Sequence, residues 1–324
     1  MKNGTPYGNL ILGNNDKLMI SYRRDLEHDY TMTGACGVMY KGDMHFFGGN
    51  KNFTRQHFVV EKHRSGQLAK MTKKEDLDIG FQFPVCTSLE IMSEYSFLFQ
   101  ANFVILCFDQ YRSKSCYLFD DKLIYVGDSN YDHLDGGLTK YKNNFLTVGG
   151  GRLDYGYLPV NDQKTEIIKR DENQKFSFFV EKDFNFTESN EISCHSLVTI
   201  ESSGINEEYV LLIGGSDPWN NKALENVFKF NGTWFSFGKL QKRRWLHNSI
   251  YWNGAVYVIG GVYDTYDATH ESDLSKILSD HTKMEIWNIK DSPDQFQTTE
   301  TWPELFNWIG PHLFIVADSF FPDK

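Results

Sequence analysis

Few residues in this chain have the types and spacing that a bound metal or a reaction requires. The segment 128–136, Asp-Ser-Asn-Tyr-Asp-His-Leu-Asp-Gly, places acidic or amide oxygens at the first three ligand positions of a calcium-binding loop. The sixth position, however, is His133 where such loops need Gly, and the twelfth is Thr139 where they use a bidentate Glu. The segment is therefore predicted to be a solvated turn.

A second group of possible ligands falls in the long connection 262–282, which contains Asp264, Asp267, His270 and Glu271. This cluster could hold a divalent cation, but no second His follows at the spacing of a helical ligand pair. Hydrolysis of a glycoside needs two carboxylates across a pocket, and no pair stands out among the many acids. No catalytic residue, metal or cofactor is therefore predicted.

The five cysteines are too few and too scattered for a disulfide-stapled scaffold, and none lies in a CxxC pair. Cys107 and Cys116 flank a turn, 108–115, between two apolar runs. They are predicted to pair across a hairpin if the compartment is oxidising, and to be two buried thiols otherwise. No apolar leader follows Met1, which predicts the cytoplasm, or secretion if the chain is a fragment of a longer protein.

The overall charge restricts the class of partner. The 324 residues include 33 Lys and Arg and 43 Asp and Glu, which gives a net charge of −10. Proteins that bind nucleic acid or anionic lipid present clustered cations, so neither is an expected partner. No apolar run approaches the roughly 20 residues of a membrane helix, so membrane insertion is not expected. Aromatic residues make up 15% of the chain, a composition that favours strands.

The elements that position these residues are predicted from a repeat. Four short apolar runs end in Gly-Gly, and two degenerate runs, ending at Asp109 and Asp318, fill the gaps between them. The runs follow one another at intervals of 41 to 65 residues, and the interval through the two termini, 55 residues, falls in the same range. Such spacing is typical of a closed ring. The Gly-Gly runs are MHFFGG, NNFLTVGG, YVLLIGG and AVYVIGG, which end at Gly49, Gly150, Gly215 and Gly261.

Each unit is predicted to contain four strands. In the clearest unit the runs 246–252 and 255–261 flank Asn253 and Gly254, a strong hairpin signal because both residues accept positive φ angles. Four strands per unit, with almost no helical periodicity, predict an all-β, six-bladed β-propeller of antiparallel blades. The single domain, 1–324, has predicted blades 31–80, 83–127, 134–181, 191–240, 245–302, and 303–324 plus 8–24, so that N- and C-terminal strands close the ring in one blade.

The first strand of each blade is predicted to lie nearest the ring axis, where bulky side chains cannot fit. Aligning the units places Cys36, Cys86 and Cys194 in one column of these strands. They are therefore predicted to be small packing residues and not nucleophiles.

The order of motifs resembles the kelch-repeat β-propellers of the galactose oxidase/kelch superfamily. Trp234 is followed by Arg244, by the hairpin strand, and by Gly260 and Gly261, in the order that this family uses. The resemblance spans the chain in six units and is weakest in the second and sixth, which lack Gly-Gly. More loosely, the chain is similar to kelch domains of secreted animal proteins.

The resemblance implies a packing role for Trp234 and a structural role for Arg244. It also implies an interaction scaffold, because most members of the family bind other proteins. Members of the galactose-oxidase type need a copper site with a Tyr–Cys pair and histidines, and no such set can be assigned in this sequence.

The predicted binding surface is the face where the connections between second and third strands emerge, together with those between blades. The tight turns between first and second strands emerge on the other face. The longer connections carry Tyr, Trp and Arg, which dominate binding energy at interfaces, although they could instead only cover the blade rims. The predicted patch is Tyr111, Arg112, Arg152, Tyr155, Tyr157, Trp219, Tyr263 and Tyr266.

The sequence thus predicts a non-enzymatic, monomeric interaction module whose partner is a protein. Two alternatives stay open at this point: a carbohydrate-binding domain, and a propeller hydrolase or oxidase that uses the same face.

Overall fold

The fold is described from a computed structural model. Every regular element in the described part of the chain is a β-strand, beginning with β1 (Leu10–Gly13) and β2 (Leu18–Ser21). The described residues are 10–13, 18–21, 34–49, 54–60, 71–92, 100–152, 160–161, 164–171, 173, 175–181, 192–201, 208–217, 222–262, 284–289, 296–298 and 312–315.

Five four-stranded antiparallel sheets, named blades 1 to 5 here, follow one another along the chain, with strands paired in sequence order. Blade 1 contains β3 (Ala35–Tyr40), β4 (Asp43–Gly48), β5 (His57–Val60) and β6 (Met71–Lys73). Blade 2 contains β7 (Val85–Met92), β8 (Gln100–Asp109), β9 (Arg112–Asp120) and β10 (Lys122–Asp128).

Blades 3 and 4 each carry an additional two-stranded ladder after their second strand. Blade 3 contains β11 (Gly137–Tyr141), β12 (Asn144–Val148), the ladder β13 (Gly151–Arg152) and β14 (Val160–Asn161), then β15 (Thr165–Arg170) and β16 (Phe176–Val180). Blade 4 contains β17 (Ser196–Ile200), β18 (Tyr209–Ile213), the ladder β19 (Ser216–Asp217) and β20 (Lys222–Ala223), then β21 (Asn226–Phe230) and β22 (Trp234–Lys239). Blade 5 contains β23 (Trp245–Trp252), β24 (Ala255–Val262), β25 (Glu285–Asn288) and β26 (Gln297–Thr298).

The blades are arranged as a propeller, as the sequence predicts. The first strands β3, β7, β11, β17 and β23 contact one another in succession. Hydrophobic clusters fill the spaces between neighbouring blades: Phe47 of blade 1 packs in one cluster with Leu106 of blade 2, and Leu211 of blade 4 packs in another with Val256 of blade 5. Burial between sheets, and not within a single sheet, therefore holds the ring together.

The described residues form five four-stranded blades, and the predicted six is wrong. The last strand, β27 (His312–Ile315), forms a three-stranded sheet with β1 and β2, and it contacts both β23 and β3. The strands β1 and β27 run parallel, with Leu10 opposite His312, whereas β1 and β2 are antiparallel. The terminal strands thus share a sheet between blades 5 and 1, but it has three strands of mixed direction.

The tight turns between first and second strands take positive φ angles at both central residues, as two-residue hairpin turns require. Asn253 and Gly254 have φ angles of 48° and 79°. In blade 3 the turn residues are Lys142 and Asn143, because Asn144 already pairs with Tyr141.

In three blades a recurring backbone hydrogen bond joins the end of the second strand to the link that leads into the next blade. In blades 1, 3 and 4 the N–H of the second Gly donates to a carbonyl of that link. The pairs are Gly49 N to Phe81 O at 3.1 Å, Gly150 N to Ile192 O at 2.8 Å, and Gly215 N to Arg244 O at 2.8 Å.

This close approach explains the first Gly of each pair. A β-carbon on Gly149 would lie 2.7 Å from the Ile192 carbonyl oxygen and 2.9 Å from Cε1 of His195 in the next blade. Gly149 also has a φ of +65°, where side chains are disfavoured. In blade 2 the equivalent residue is Phe108, which is fully buried and has a φ of 58°, a conformation that costs roughly 1–2 kcal/mol.

A buried ion pair holds the link before blade 5. Arg244 is fully buried, and its guanidinium donates to Glu285 Oε1 at 2.6 Å and to the Gly260 carbonyl at 3.1 Å. Glu285, also fully buried, accepts the backbone N–H groups of Gln241 and Lys242. The structural role that the resemblance implies for Arg244 thus has a physical basis, because the pair ties the link to the third strand.

Blade 3 repeats this arrangement with a neutral group. His133 stands where blade 5 has Arg244, and its Nδ1 donates to the Gly149 carbonyl at 2.8 Å. Glu166 stands where blade 5 has Glu285 and accepts the backbone N–H groups of Asn130 and Tyr131. Burial lowers the pKa of His133 to about 4, so its ring is neutral at neutral pH.

Histidines also fill the space between blades on the first strands. His195 packs against Gly149, and burial lowers its pKa to about 3. His247 packs against Gly214, and its Nε2 lies 2.9 Å from Ser196 Oγ of the preceding blade. Burial and the nearby positive charge of Arg244 lower the pKa of His247 well below its usual value. These rings are therefore interblade packing groups in their neutral form.

Trp234 also joins two blades. It begins β22 of blade 4, and its Nε1 donates to Thr165 Oγ1 of blade 3 at 2.8 Å. Its ring packs against Phe230.

One disulfide lies within blade 2, and a second joins blades 1 and 2. Cys107 on β8 is directly opposite Cys116 on β9, with Cα atoms 4.2 Å apart, and the two are bonded. Cys36 on β3 is bonded to Cys86 on β7, which joins the first strands of blades 1 and 2. The prediction that Cys36 and Cys86 are only small packing residues is therefore incomplete. Aligning equivalent positions of the blades does not show which of them are bonded to each other.

The buried ion pair predicts that Arg244→Met lowers the free energy of unfolding by about 3–5 kcal/mol, because Glu285 is left as a buried charge without its cation. The adjacent Arg243 is the matched control: its side chain is 47% exposed and it pairs with Glu225 at 3.4 Å. Arg243→Met should cost less than about 1 kcal/mol. Urea unfolding of both variants measures this, and equal losses would contradict the structural role.

The buried histidines predict that the protein loses stability in mild acid. Their pKa values are lower in the folded than in the unfolded chain, so the unfolded state binds more protons as pH falls below about 6.5. His133 and His195 should each remove about 2 kcal/mol between pH 7 and pH 5. Urea unfolding at pH 7, 6 and 5 tests this. His133→Gln should reduce the pH dependence by about 2 kcal/mol, and an unchanged dependence would be evidence that His133 is not a buried neutral ring.

Candidate functional site

A ring of left-handed residues surrounds one end of the propeller axis. Each blade has one such residue at or just before the start of its first strand, and four of the five are not glycine. This conformation is uncommon for residues with a β-carbon. The residues are Gly34, Phe83, Asp135, Cys194 and Leu246, with φ angles of 75°, 55°, 58°, 52° and 52°. We refer to them as the mouth residues.

Hydrogen bonds between neighbouring blades explain the conformation. The N–H of Phe83 donates to the Gly34 carbonyl at 2.9 Å, and the N–H of Cys194 donates to the Asp135 carbonyl at 2.7 Å. The N–H of Leu246 in turn donates to the Cys194 carbonyl at 3.0 Å. The left-handed backbone thus satisfies donors and acceptors that would otherwise be lost where the blades meet.

The side chains of the mouth residues differ in exposure and charge. Phe83 is 43% exposed, the Asp135 side chain is open to solvent, and Cys194 and Leu246 are half-buried. Desolvation by the surrounding protein raises the pKa of the Asp135 carboxyl. The site therefore combines one exposed aromatic side chain with one exposed acidic group.

Cys194 is poorly suited to act as a nucleophile. Burial, and then the negative charge of Asp135, raise the pKa of its thiol well above the usual value, whereas reactive thiols have lowered values. The sequence alignment that assigned Cys194 to the packing column of Cys36 is two residues out. Cys36 lies opposite Phe47, the residue before Gly48, and in blade 4 that position belongs to Ser196.

Tyr111 stands beside Phe83 on the same face. It belongs to the hairpin turn between β8 and β9 and is 65% exposed. Its Oη donates to Oε1 of buried Gln82 at 2.9 Å, and the Gln110 N–H donates to the Gln82 carbonyl at 2.9 Å. Because Phe83 follows Gln82 directly, the two exposed aromatic rings are carried by hydrogen-bonded segments. We call Phe83 and Tyr111 the aromatic pair.

Arg112, also in the predicted patch, is held by the fold. Its guanidinium pairs with Asp109, which is 1% exposed, and it donates to the Gly80 carbonyl. The same guanidinium lies over the rings of Phe81 and Tyr117. Asp109 stands where other blades have the second Gly. In blade 2 one member of a buried ion pair therefore occupies the position of that glycine.

The rest of the predicted patch is not brought together by the described residues. Arg152 lies on β13, directly after the Gly-Gly of blade 3, and its side chain is outside the described part of the chain. Tyr155, Tyr157, Trp219, Tyr263 and Tyr266 lie outside the described residues, as do Asp264, Asp267, His270 and Glu271.

The described residues offer no metal centre. Within them, no group of three or more His, Cys, Asp and Glu side chains is placed to hold a metal ion. In the predicted turn 128–136, Asp128 accepts a hydrogen bond from Ser115 Oγ at 2.7 Å and Asp132 accepts one from Ser113 Oγ, so both carboxylates are engaged with β9. A copper site of the oxidase type does not fit the donors in this part of the chain.

A separate pocket of about 700 Å³ lies between the outer parts of blades 1 and 2, lined by strand residues and by the turns of the opposite face. His45 Nδ1 and His57 Nε2 lie 2.9 Å apart within it, so one ring donates and the other accepts. Burial, and then the charge of His45, lower the pKa of His57 to about 3. The His57 ring stacks on Phe47 with centroids 4.6 Å apart and meets Phe119 of blade 2 edge-on at 5.1 Å, which makes this pair an interblade packing group.

Comparison with known proteins supports the fold. The chain resembles the solved structure of YjhT, with a TM-score of 0.55 and 12% identical residues over 91% of this chain and 98% of that one. It also resembles a fungal alcohol oxidase of the AA5 family, solved in complex with copper, with a TM-score of 0.56 and 12% identity. That match covers 85% of this chain and 54% of the oxidase chain, so this chain spans about half of the oxidase.

The resemblance shows a β-propeller and no more, because 12% identity carries only the fold. No protein-family model matches the chain, and no curated protein matches it by sequence. The kelch assignment therefore stays a prediction. Among the described residues there is no helix long and apolar enough to cross a membrane.

The contacts of Arg112 and Tyr111 predict unequal losses of stability for two neighbouring substitutions. Arg112→Ala should lower the free energy of unfolding by about 2–4 kcal/mol, because buried Asp109 loses its cation. Tyr111→Ala removes an exposed ring and should cost less than about 1 kcal/mol. Urea unfolding of the two variants measures the difference, and a cost for Arg112→Ala as small as that for Tyr111→Ala would show that the ion pair contributes little.

Proposed function

We propose that the protein is a non-enzymatic interaction module whose protein partner docks on the face that carries the mouth residues. The observation that carries this proposal is the aromatic pair, Phe83 and Tyr111. Both rings are exposed, both sit on hydrogen-bonded backbone, and both lie on the face where the connections between blades emerge.

Rigid, exposed aromatic side chains are suited to binding because little conformational entropy is lost when a partner covers them. Aromatic residues are enriched at the centres of protein interfaces. The backbone N–H of Phe83 donates to the Gly34 carbonyl, and the Tyr111 hydroxyl donates to Gln82 Oε1, so both residues are held in place. The Phe83 ring packs against Gly34 on one side and leaves 43% of the residue exposed, so a partner could cover the rest.

The groups at the mouth do not favour catalysis. The Cys194 thiol is held protonated, and Asp135 is the one carboxylate among the mouth residues. Nucleophilic catalysis by cysteine uses a thiolate, and hydrolysis of a glycoside uses two carboxylates. The AA5 oxidase with a similar fold indicates that propellers can carry redox chemistry, but the likeness extends to the fold alone.

The proposal is tested by placing a photo-crosslinking residue at position 111 and, separately, at position 235. Phe235, on the outer strand of blade 4, is 45% exposed and serves as a matched aromatic away from the mouth. In extracts that contain the protein, we expect cross-linking to a discrete protein from position 111 and not from position 235.

The affinity of the cross-linked partner is then measured with Phe83→Asn, Tyr111→Ser and Phe235→Ser. Asn is chosen at position 83 because it tolerates the left-handed backbone. The first two variants should weaken binding about tenfold or more, which corresponds to about 1.4 kcal/mol, and Phe235→Ser should leave it unchanged. Equal affinities for all three variants, or cross-linking from position 235 alone, would refute the proposed face.

A further inference from the structure

The mouth carries a carboxylate that has no counter-charge in the described part of the chain. The side chain of Asp135 makes no hydrogen bond or ion pair with any described residue. Other aspartates nearby are engaged: Asp109 binds Arg112, Asp128 binds Ser115, and Asp132 binds Ser113. Asp135 therefore differs from its neighbours in being both accessible and unpaired.

The surroundings of Asp135 favour a cationic ligand. The side chain is exposed, and the surrounding protein partly desolvates its carboxyl, which raises the pKa of that group. A ligand cation at this carboxylate would replace the missing solvation, and charge interactions near a protein surface are stronger than in bulk water. The net charge of −10 adds a long-range attraction for cations.

Phe83 and Tyr111 add to this preference for a cationic ligand, and Tyr111 lies further from the propeller axis. Phe83 is the mouth residue of blade 2, and Asp135 is that of blade 3, whose first strands are in contact. Aromatic faces attract ammonium and guanidinium groups and also pack against apolar side chains. Tyr111 lies outside the ring in the turn between β8 and β9, so a ligand that reaches both Asp135 and Tyr111 must be longer than a single small cation.

We propose that the mouth takes a protein segment through a Lys or Arg side chain, with the cation at Asp135 and apolar neighbours of that residue on Phe83 and Tyr111. This inference rests on the proposed function and specifies the chemistry of the partner. A basic, partly apolar segment complements this face in charge, whereas an acidic segment would be repelled by Asp135 and by the net charge of the protein.

The test uses the full chain and four pools of acetylated, amidated nonapeptides with random flanks. The central residue is fixed as Arg, Lys, citrulline or Glu in the respective pools. Citrulline has nearly the shape of Arg without its charge. We expect the Arg and Lys pools to be retained about tenfold more than the citrulline and Glu pools, and the preference to fall as salt rises from 50 to 500 mM, because salt screens an exposed ion pair.

The deciding variant is Asp135→Asn, which keeps the size of the side chain and the tolerance for a left-handed backbone. It should remove the tenfold preference for Arg over citrulline. Asp128→Asn, on the outer strand of blade 2, is the control and should leave the preference intact. Circular dichroism and unfolding curves of both variants establish that they are folded.

Each other outcome counts against the inference. Equal retention of the Arg and citrulline pools, no retention of any pool, or a preference that survives Asp135→Asn overturns it. Binding of free arginine amide as tight as that of the pools would assign the site at Asp135 to a small cation and overturn the protein segment. If a cross-linked partner still needs Tyr111 but is insensitive to Asp135→Asn, the proposed function stands and only this inference fails.

Discussion

The backbone hydrogen bond from the end of the second strand to the link of the next blade, formed in blades 1, 3 and 4, is the contact on which the rest of the structure depends. It brings the two backbone segments so close that a β-carbon at Gly149 would clash with the link to blade 4. It also sets where each first strand starts, and so it places the mouth residues around one axis. The space left by the missing β-carbons is taken by His195 and His247, which explains why those rings are buried and neutral.

Much of the architecture could be predicted because short local sequence patterns mark the strand ends and turns. The Gly-Gly runs mark the ends of second strands, and Asn253-Gly254 marks a hairpin, since both depend on φ angles that particular residues favour. The number of four-stranded blades could not be predicted, because the repeat gives spacing and not how terminal strands pair. The bond between Cys36 and Cys86 likewise depends on the distance between neighbouring blades, which no single unit contains.

The candidate site was predictable only in its face. Tyr111 was expected to be exposed there, but Arg112 is of the same general type and is instead committed to buried Asp109. Phe83 and Asp135 were missed because nothing local distinguishes them: one precedes a proline, and the other lies in a turn with several acids. Their shared left-handed conformation accompanies backbone hydrogen bonds to a neighbouring blade, from Phe83 to Gly34 and from Cys194 to Asp135. Such residues can be recognised only when the pairing of strands and the contacts between neighbouring blades are known.

The pairing of β1 with β27 has a consequence for how the chain reaches this state. Leu10 is hydrogen-bonded alongside His312, so the sheet they share cannot form during synthesis until the last strand has left the ribosome. Until then the first strands of blades 1 and 5 have no sheet between them, and their apolar sides face solvent or a chaperone. Closure also requires contacts between residues about 300 positions apart, a separation that makes it a slow, late event. A truncated or stalled chain would therefore be a species that aggregates through its unsealed seam.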